Sequence, residues 1–291
     1  MNIVFQINGG MGKCIIATAV CDAIKKQYPD ANLTVISGYP DVFLNNPNIY
    51  RNYGFNGFSY FYEEQIEGKD FLIFAQDPYL ETEHIKQSEH LIETWCRMFN
   101  IKYNGEQPVI YLNDREKKFY GNKYLFNKPI FLLQSNGGAN TEMKYSWARD
   151  LPTVVSLRVI EEFKNDYNIL HIRRDDQISF ENTTPISDNF RSMAVLIAMS
   201  SKRLLIDSFA QHTAAALGLK STVCWIANKP EVFGYQLHDN IISEPFTVKP
   251  DLRKSYLQKF NIGGDLNEFP YNNENEVFNI NAIINSIKNN Q

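Results

Sequence analysis

Short apolar runs alternate with longer stretches of helical period along most of the 291 residues. In the first half, Asn2–Ile7, Leu33–Ser37, Phe71–Ala75 and Val109–Leu112 have the length of strands. Between them, 12–28 and 83–100 repeat apolar positions at the spacing of one helix face. In the second half the strand candidates are 130–134, 168–172, 203–206 and 222–226, with helices expected at 153–166, 190–200, 210–217 and 278–288. Strand and helix in turn predict an α/β chain with mainly parallel sheets. The polar stretch 113–128 falls near the midpoint and reads as a connector. Two Rossmann-like domains, 1–125 and 126–291, are therefore expected to face each other across a cleft, with the last helix packing back on the first. Ligands in such sheets bind outside the carboxyl ends of the strands.

Composition narrows the classes without choosing among them. Apolar residues make up 44% of the chain, enough for packed cores, and a net charge of −4 gives no global pull toward nucleic acid or anionic lipid. The four cysteines are scattered, with no C-x-x-C pair or neighbouring histidine cluster. No metal site and no disulfide framework is expected, and a reducing, cytoplasmic interior is the simpler setting. Nothing resembles a signal peptide, and no apolar run approaches the ~20 residues that span a bilayer.

The first strand leads into I-N-G-G-M-G-K-C, residues 7–14. Strand, glycine-rich turn and helix is the context of a phosphate-binding loop, and the stretch looks like the variant P-loop of partitioning ATPases. Two positions depart from that pattern. Asn8 stands where the variant has its first lysine, and Cys14 where a hydroxyl should hold Mg²⁺, for which a thiol is a poor ligand. The plainer reading is that Gly9, Gly10 and Gly12 make a tight strand-to-helix turn.

In the second half, residues 204–225 read L-L-I-D-S-F-A-Q-H-T-A-A-A-L-G-L-K-S-T-V-C-W. Asp207, Ser208, Gln211 and His212 would cluster where a strand ends and a helix begins. Free N–H groups and the helix dipole suit such a place to a diphosphate. The residues alone allow equally that Asp207 and Ser208 cap the helix and that His212 is a core histidine.

This stretch resembles the D-[ST]-G-P-x-H-x-A-A-A-L-G motif of the heptosyltransferase-like glycosyltransferases, family nine, of GT-B fold. Asp207, Ser208, His212, Ala214, Ala215, Ala216, Leu217 and Gly218 match, while Phe209 and Ala210 replace the Gly-Pro pair. The resemblance extends to 190–206, to the loop 228–235, and to 133–147, which carries Lys144 near Trp147. The first half fits more loosely, through Met11-Gly12-Lys13 and Pro29-Asp30-Ala31. It implies a GT-B fold and transfer of a sugar from a nucleotide-diphosphate donor to an acceptor hydroxyl, metal-independent, inverting and without a cofactor. Ser135, Asn136, Gly137, Gly138, Lys144, Arg173, Asp175, Asp207, Ser208, Gln211 and His212 would bind the donor. Asn8, Gly9, Gly10, Met11, Gly12 and Lys13 would form the acceptor-side loop.

One departure bears on the chemistry. The family's acidic residue, its proposed base, falls at Lys13, and an ammonium does not accept a proton. Lys13 could instead bind a phosphate, and Asp77, just after the strand 71–75, is the alternative base. The acceptor could be a saccharide, a glycolipid or a hydroxylated DNA base. Basic and aromatic residues mix in Arg115–Lys128, and Arg253–Lys259 is a smaller patch, the pattern that phosphate contact and base stacking use. An amphipathic linker helix with a wet basic face is the plainer reading of the larger stretch. A P-loop-like ATPase and a non-catalytic sugar-nucleotide binding protein stay open as alternatives.

Overall fold

The computed structural model describes residues 1–56, 58–137, 145–250 and 268–290. In the first half these form β1 (Asn2–Ile7), α1 (Met11–Gln27), β2 (Asn32–Ser37), β3 (Arg51–Tyr53), α2 (Phe61–Gln65), β4 (Phe71–Phe74), α3 (Thr82–Ile85) and α4 (Leu91–Met98). Helix α5 (Asp114–Gly121) follows. In the second half come β5 (Ile130–Leu133), α6 (Thr153–Phe163), β6 (Asn168–Ile172), β7 (Thr184–Ile186), α7 (Phe190–Met199) and β8 (Lys202–Ile206). The chain continues with α8 (Phe209–Ala216), β9 (Thr222–Trp225), α9 (Pro230–Phe233), β10 (Asp239–Ile242) and α10 (Ile280–Asn289).

The strands form two sheets, in the orders β3-β2-β1-β4 and β10-β9-β8-β5-β6-β7, and every pair is parallel. The α/β, GT-B-like expectation therefore holds. In each sheet the chain starts at an inner strand, winds outward one way, then returns to the other side of its starting strand. The direction reverses between β1 and β4 and again between β5 and β8. Crevices open at such reversals, above the carboxyl ends of the two strands, because the connections leave them in opposite directions.

Helix α1 is buried along almost its whole length, from Lys13 to Ile24. Its small residues Ala17, Ala19 and Ala23 let it lie close to β1 on one side and to α8 and α4 on others. Phe5 of β1 meets Trp95 of α4 edge-on at 5.3 Å, and Phe74 of β4 stacks on Phe99 at 4.4 Å. Phe190 and Ala194 of α7 and Tyr235 pack into the same core, so the two halves share buried surface. Arg191 of α7 clamps the seam. Buried, it donates to both oxygens of Glu116 at 2.7 and 2.8 Å and to the carbonyls of Tyr111 and Asp41.

Three expectations change. The run 109–112 is not a strand, because side chains take its backbone groups: Val109 N–H donates to Thr18 Oγ1 at 2.9 Å and Tyr111 C=O accepts from Arg191. The helix expected over 83–100 breaks into α3 and α4, with Gln87 in the left-handed region between them. His90 restarts it as N-cap, its Nδ1 accepting from Ile92 N–H at 3.2 Å. Helix α10 does not return to the first half; it packs on α6, β8, β9 and β10, and Ser286 bonds Asp239 and Thr222.

Candidate functional site

The reversal between β1 and β4 carries the two residues singled out for chemistry. Gly9 takes φ +119°, a conformation that side chains resist, and turns the chain into α1. This brings Lys13 inward. Its Nζ donates to Asp77 Oδ1 at 2.6 Å and lies 4.2 Å from the Tyr79 ring centroid, with the Trp95 ring beyond at 5.7 Å. Asp77 follows β4 and caps the short turn 78–80, Oδ1 also accepting from Tyr79 N–H at 3.0 Å. Both bonds fall on the same oxygen, and no described residue bonds Oδ2. The Lys13 side chain is 5% exposed and that of Asp77 36%. The ammonium is therefore dry and committed, and the carboxylate keeps one oxygen open. Of the two, Asp77 is the side chain that keeps an oxygen accessible at this crevice.

The glycine loop lacks what an ATPase cradle needs. Cys14 is fully buried, and burial pushes its thiol up to about 11, moderated by a bond to Ser37. It therefore offers no ligand for Mg²⁺. Gly12 has a different use: a Cβ there would lie 2.9 Å from His212 Cδ2. The glycine lets the start of α1 abut α8 of the other half. Asn8 and Gly9 are exposed; Gly10 and Met11 are half-buried.

The reversal between β5 and β8 lies opposite. Asp207 follows β8 directly, and its Oδ2 accepts from Asn228 Nδ2. Burial raises its carboxyl above the ordinary range, opposed by nearby Arg149 and by the Asn228 bond. Ser208 is the N-cap of α8 by position, but its hydroxyl accepts from Gln134 Nε2 at 3.2 Å and makes no capping bond. Neither α8 nor α1 has an acidic residue in its first turn or a side-chain cap. Two helix N-termini thus meet at the cleft with first-turn N–H groups unclaimed by side chains. Each carries about half a positive charge.

Several residues expected to touch the donor make hydrogen bonds within the protein. Ser135 Oγ bridges Asn136 Oδ1 and His171 Nε2, both at 2.7 Å, and Ser135 and Asn136 are buried. Gly137 gives its N–H to Asp150 at 2.7 Å and its carbonyl to Gln177 Nε2. Gln211 bonds the Phe233 carbonyl. His212 is 4% exposed, its Nδ1 2.9 Å from the Tyr235 hydroxyl. Burial, with His90 and His238 nearby, holds His212 down to about 3, so the ring is neutral. These residues are tied to one another and to the backbone beneath the turn after β8. Arg173 and Asp175 do lie beyond the carboxyl end of β6; Arg173 bends over its own loop to the Arg174 carbonyl, and Asp175 is exposed. Gly138 and Lys144 lie outside the described residues.

Tyr79, Arg149, Asp150 and Asn228 lie beside these residues although the sequence did not single them out. Asp150 ties down Gly137, Asn136 and Ser146. Tyr79 sits at the centre: above Lys13, stacked on His84 at 4.7 Å, and close enough to Asp207, Asp77 and Arg149 for their charges to act on its hydroxyl. Their signals were the D-P-Y after β4 and the W-A-R-D after Lys144.

The basic stretch 115–128 forms α5 and the turn after it. Glu116, Lys117 and Lys123 are engaged with Arg191, Asp114 and Asp188, while Phe119 is exposed. The patch 253–259 lies outside the described residues. No helix among the described residues is long and apolar enough to cross a membrane.

No protein-family model matches the sequence, and no curated protein does. The fold, in contrast, is similar to solved ones. The ADP-heptose LPS heptosyltransferase II of E. coli aligns with a TM-score of 0.66 at 11% identity, over 83% of this chain and 90% of that one. A family 9 glycosyl transferase from Veillonella parvula aligns at 0.65 and 13%, over 99% and 96%. The dodecameric iron-containing heptosyltransferase TibC of E. coli, in complex with ADP-D-beta-D-heptose, aligns at 0.65 and 10%, over 99% and 76%. TibC overturns the expectation of a cofactor-free protein, since a relative in fold carries iron. Among the described residues no group of three or more His, Cys, Asp or Glu is arranged to hold a metal ion, so no step below is routed through one. The chain has the fold of the heptosyltransferases and of glycosyltransferase family 9, in a version divergent in sequence.

Proposed function

We propose that this protein is a glycosyltransferase that moves a sugar from a nucleoside-diphosphate sugar to an acceptor hydroxyl, with inversion at the anomeric carbon. Residues 1–125 act as the acceptor half and 126–291 as the donor half. The observation that carries the reading is Asp77: a carboxylate with one free oxygen at the β1–β4 reversal, across Tyr79 from the Asp207 turn. In a single displacement the acceptor oxygen attacks the anomeric carbon as its proton passes to Asp77 Oδ2. The bond from that carbon to the diphosphate oxygen breaks, and the nucleoside diphosphate leaves with the electron pair. Its charge grows toward the N-terminus of α8, where donors fixed in advance lower the barrier. Lys13 holds the base in place by fixing Oδ1.

The fold and the ADP-heptose bound by TibC make ADP-heptose the first donor to try. A hydroxyl of a saccharide or glycolipid is the acceptor class. Four buried, unpaired cysteines fit a reducing, cytoplasmic setting. The test is a panel of nucleotide sugars, ADP-heptose among them, with saccharide acceptors, following release of nucleoside diphosphate. Acceptor-dependent release that scales with enzyme is the expected result. Binding of the donor without release in the presence of any acceptor would make the protein a sugar-nucleotide binder instead.

A further inference from the structure

Among the described residues, Arg149 is a cation that makes no side-chain hydrogen bond or ion pair. It sits in the turn 146–150, which is fixed on several sides. Its N–H bonds Ser146 C=O, the neighbouring Ala148 C=O accepts from Ala227 N–H at 2.9 Å, and Asp150 holds Ser146 and Gly137. The backbone is therefore set while the side chain is exposed. The guanidinium lies over Gly137, and a Cβ there would come within 2.9 Å of Nε and 3.2 Å of Cζ. Gly137 thus leaves room for the arginine to cross the turn above β5. From there its charge acts on Asp207 of the second half and on Tyr79 of the first. Holding a cation unpaired between two halves has one ready use: a planar guanidinium grips a phosphate with two parallel bonds.

We propose that Arg149 binds the diphosphate of the donor, opposite the N-terminus of α8, and makes the site select diphosphates over nucleosides. This rests on the transferase reading above. It predicts that the cation and the helix end approach the two phosphates from different sides, so that losing either weakens a diphosphate but not the base and ribose.

The experiment first ranks ADP, GDP, UDP and CDP by the thermal shift each gives the wild-type protein, then measures the best of them and its parent nucleoside by calorimetry. Arg149→Gln should weaken the diphosphate about 10- to 100-fold and leave the nucleoside unchanged, and Arg149→Lys should recover part of the loss. A wild-type protein that binds a diphosphate, with Arg149→Gln binding it as well, would overturn this assignment alone. Equal losses for diphosphate and nucleoside would also overturn it, since they mark a structural role. No binding of any of the four by the wild type would remove the transferase reading as well.

Discussion

Asp77→Asn is expected to slow sugar transfer about 10²- to 10⁴-fold, the range that a positioned general base supplies. Affinity for the nucleoside diphosphate should stay close to that of the wild type. The substitution is nearly isosteric. The asparagine carbonyl can still accept from Lys13 Nζ and from Tyr79 N–H, the two bonds that orient Oδ1. What disappears is the proton acceptor at Oδ2 and the charge that neutralises a lysine 5% exposed. Stability should therefore fall by about 1–3 kcal/mol, the scale of a lost charged partner, with the fold retained by circular dichroism. The pairing of kcat and Kd discriminates, because a residue that merely held the loop would lose both. Turnover by Asp77→Asn at the wild-type rate would send the base elsewhere.

The second large effect is acid lability. All five histidines are held below their ordinary range by burial: His84, His90, His171 and His238 to about 4, and His212 to about 3. His90 shows why. Its Nδ1 accepts from Ile92 N–H, so Nε2 carries the proton and donates to the Gly234 carbonyl at 3.0 Å. A second proton would have to displace the cap of α4 within a shared pocket around Tyr235, beside His212 and His238. The sign follows from linkage. The unfolded chain takes up these protons as pH falls below about 6.5, while the folded chain refuses them until about 4. Their contribution is complete above pH 6.5 and drains away between 6.5 and 4. With five sites the slope approaches ~7 kcal/mol per pH unit near pH 5, against a total stability of roughly 5–15 kcal/mol. Tryptophan fluorescence against pH should show cooperative unfolding near pH 5. A native signal persisting at pH 4 would contradict this picture of the seam.

Much of the frame was legible because buried parallel strands must be continuous apolar runs: β1, β2, β5, β6, β8 and β9 stand out that way, and β4, though an edge strand with Phe71 and Ile73 exposed, is apolar enough to stand out too. The strands that escaped, β3, β7 and β10, are all at sheet edges, where polar residues and even Pro185 are tolerated. Val109–Leu112 misled for the opposite reason, being apolar but bonded to side chains. The position of Asp77 at the crevice was readable from its place after a strand. The burial of His212 and Ser135 was not, because a motif gives residue type and position but not how deeply a side chain is packed. Arg149 was invisible for a similar reason: its significance comes from Gly137, 12 positions earlier, giving it room.

The most direct measurement is a crystal structure of the protein soaked with the nucleoside diphosphate that stabilises it most. The phosphates should lie against the first-turn N–H groups of α8, beside Asp207, with Asp77 Oδ2 open to the space where an acceptor enters. Phosphates cradled by Gly9–Lys13 alone, with the Asp207 turn unoccupied, would contradict the account.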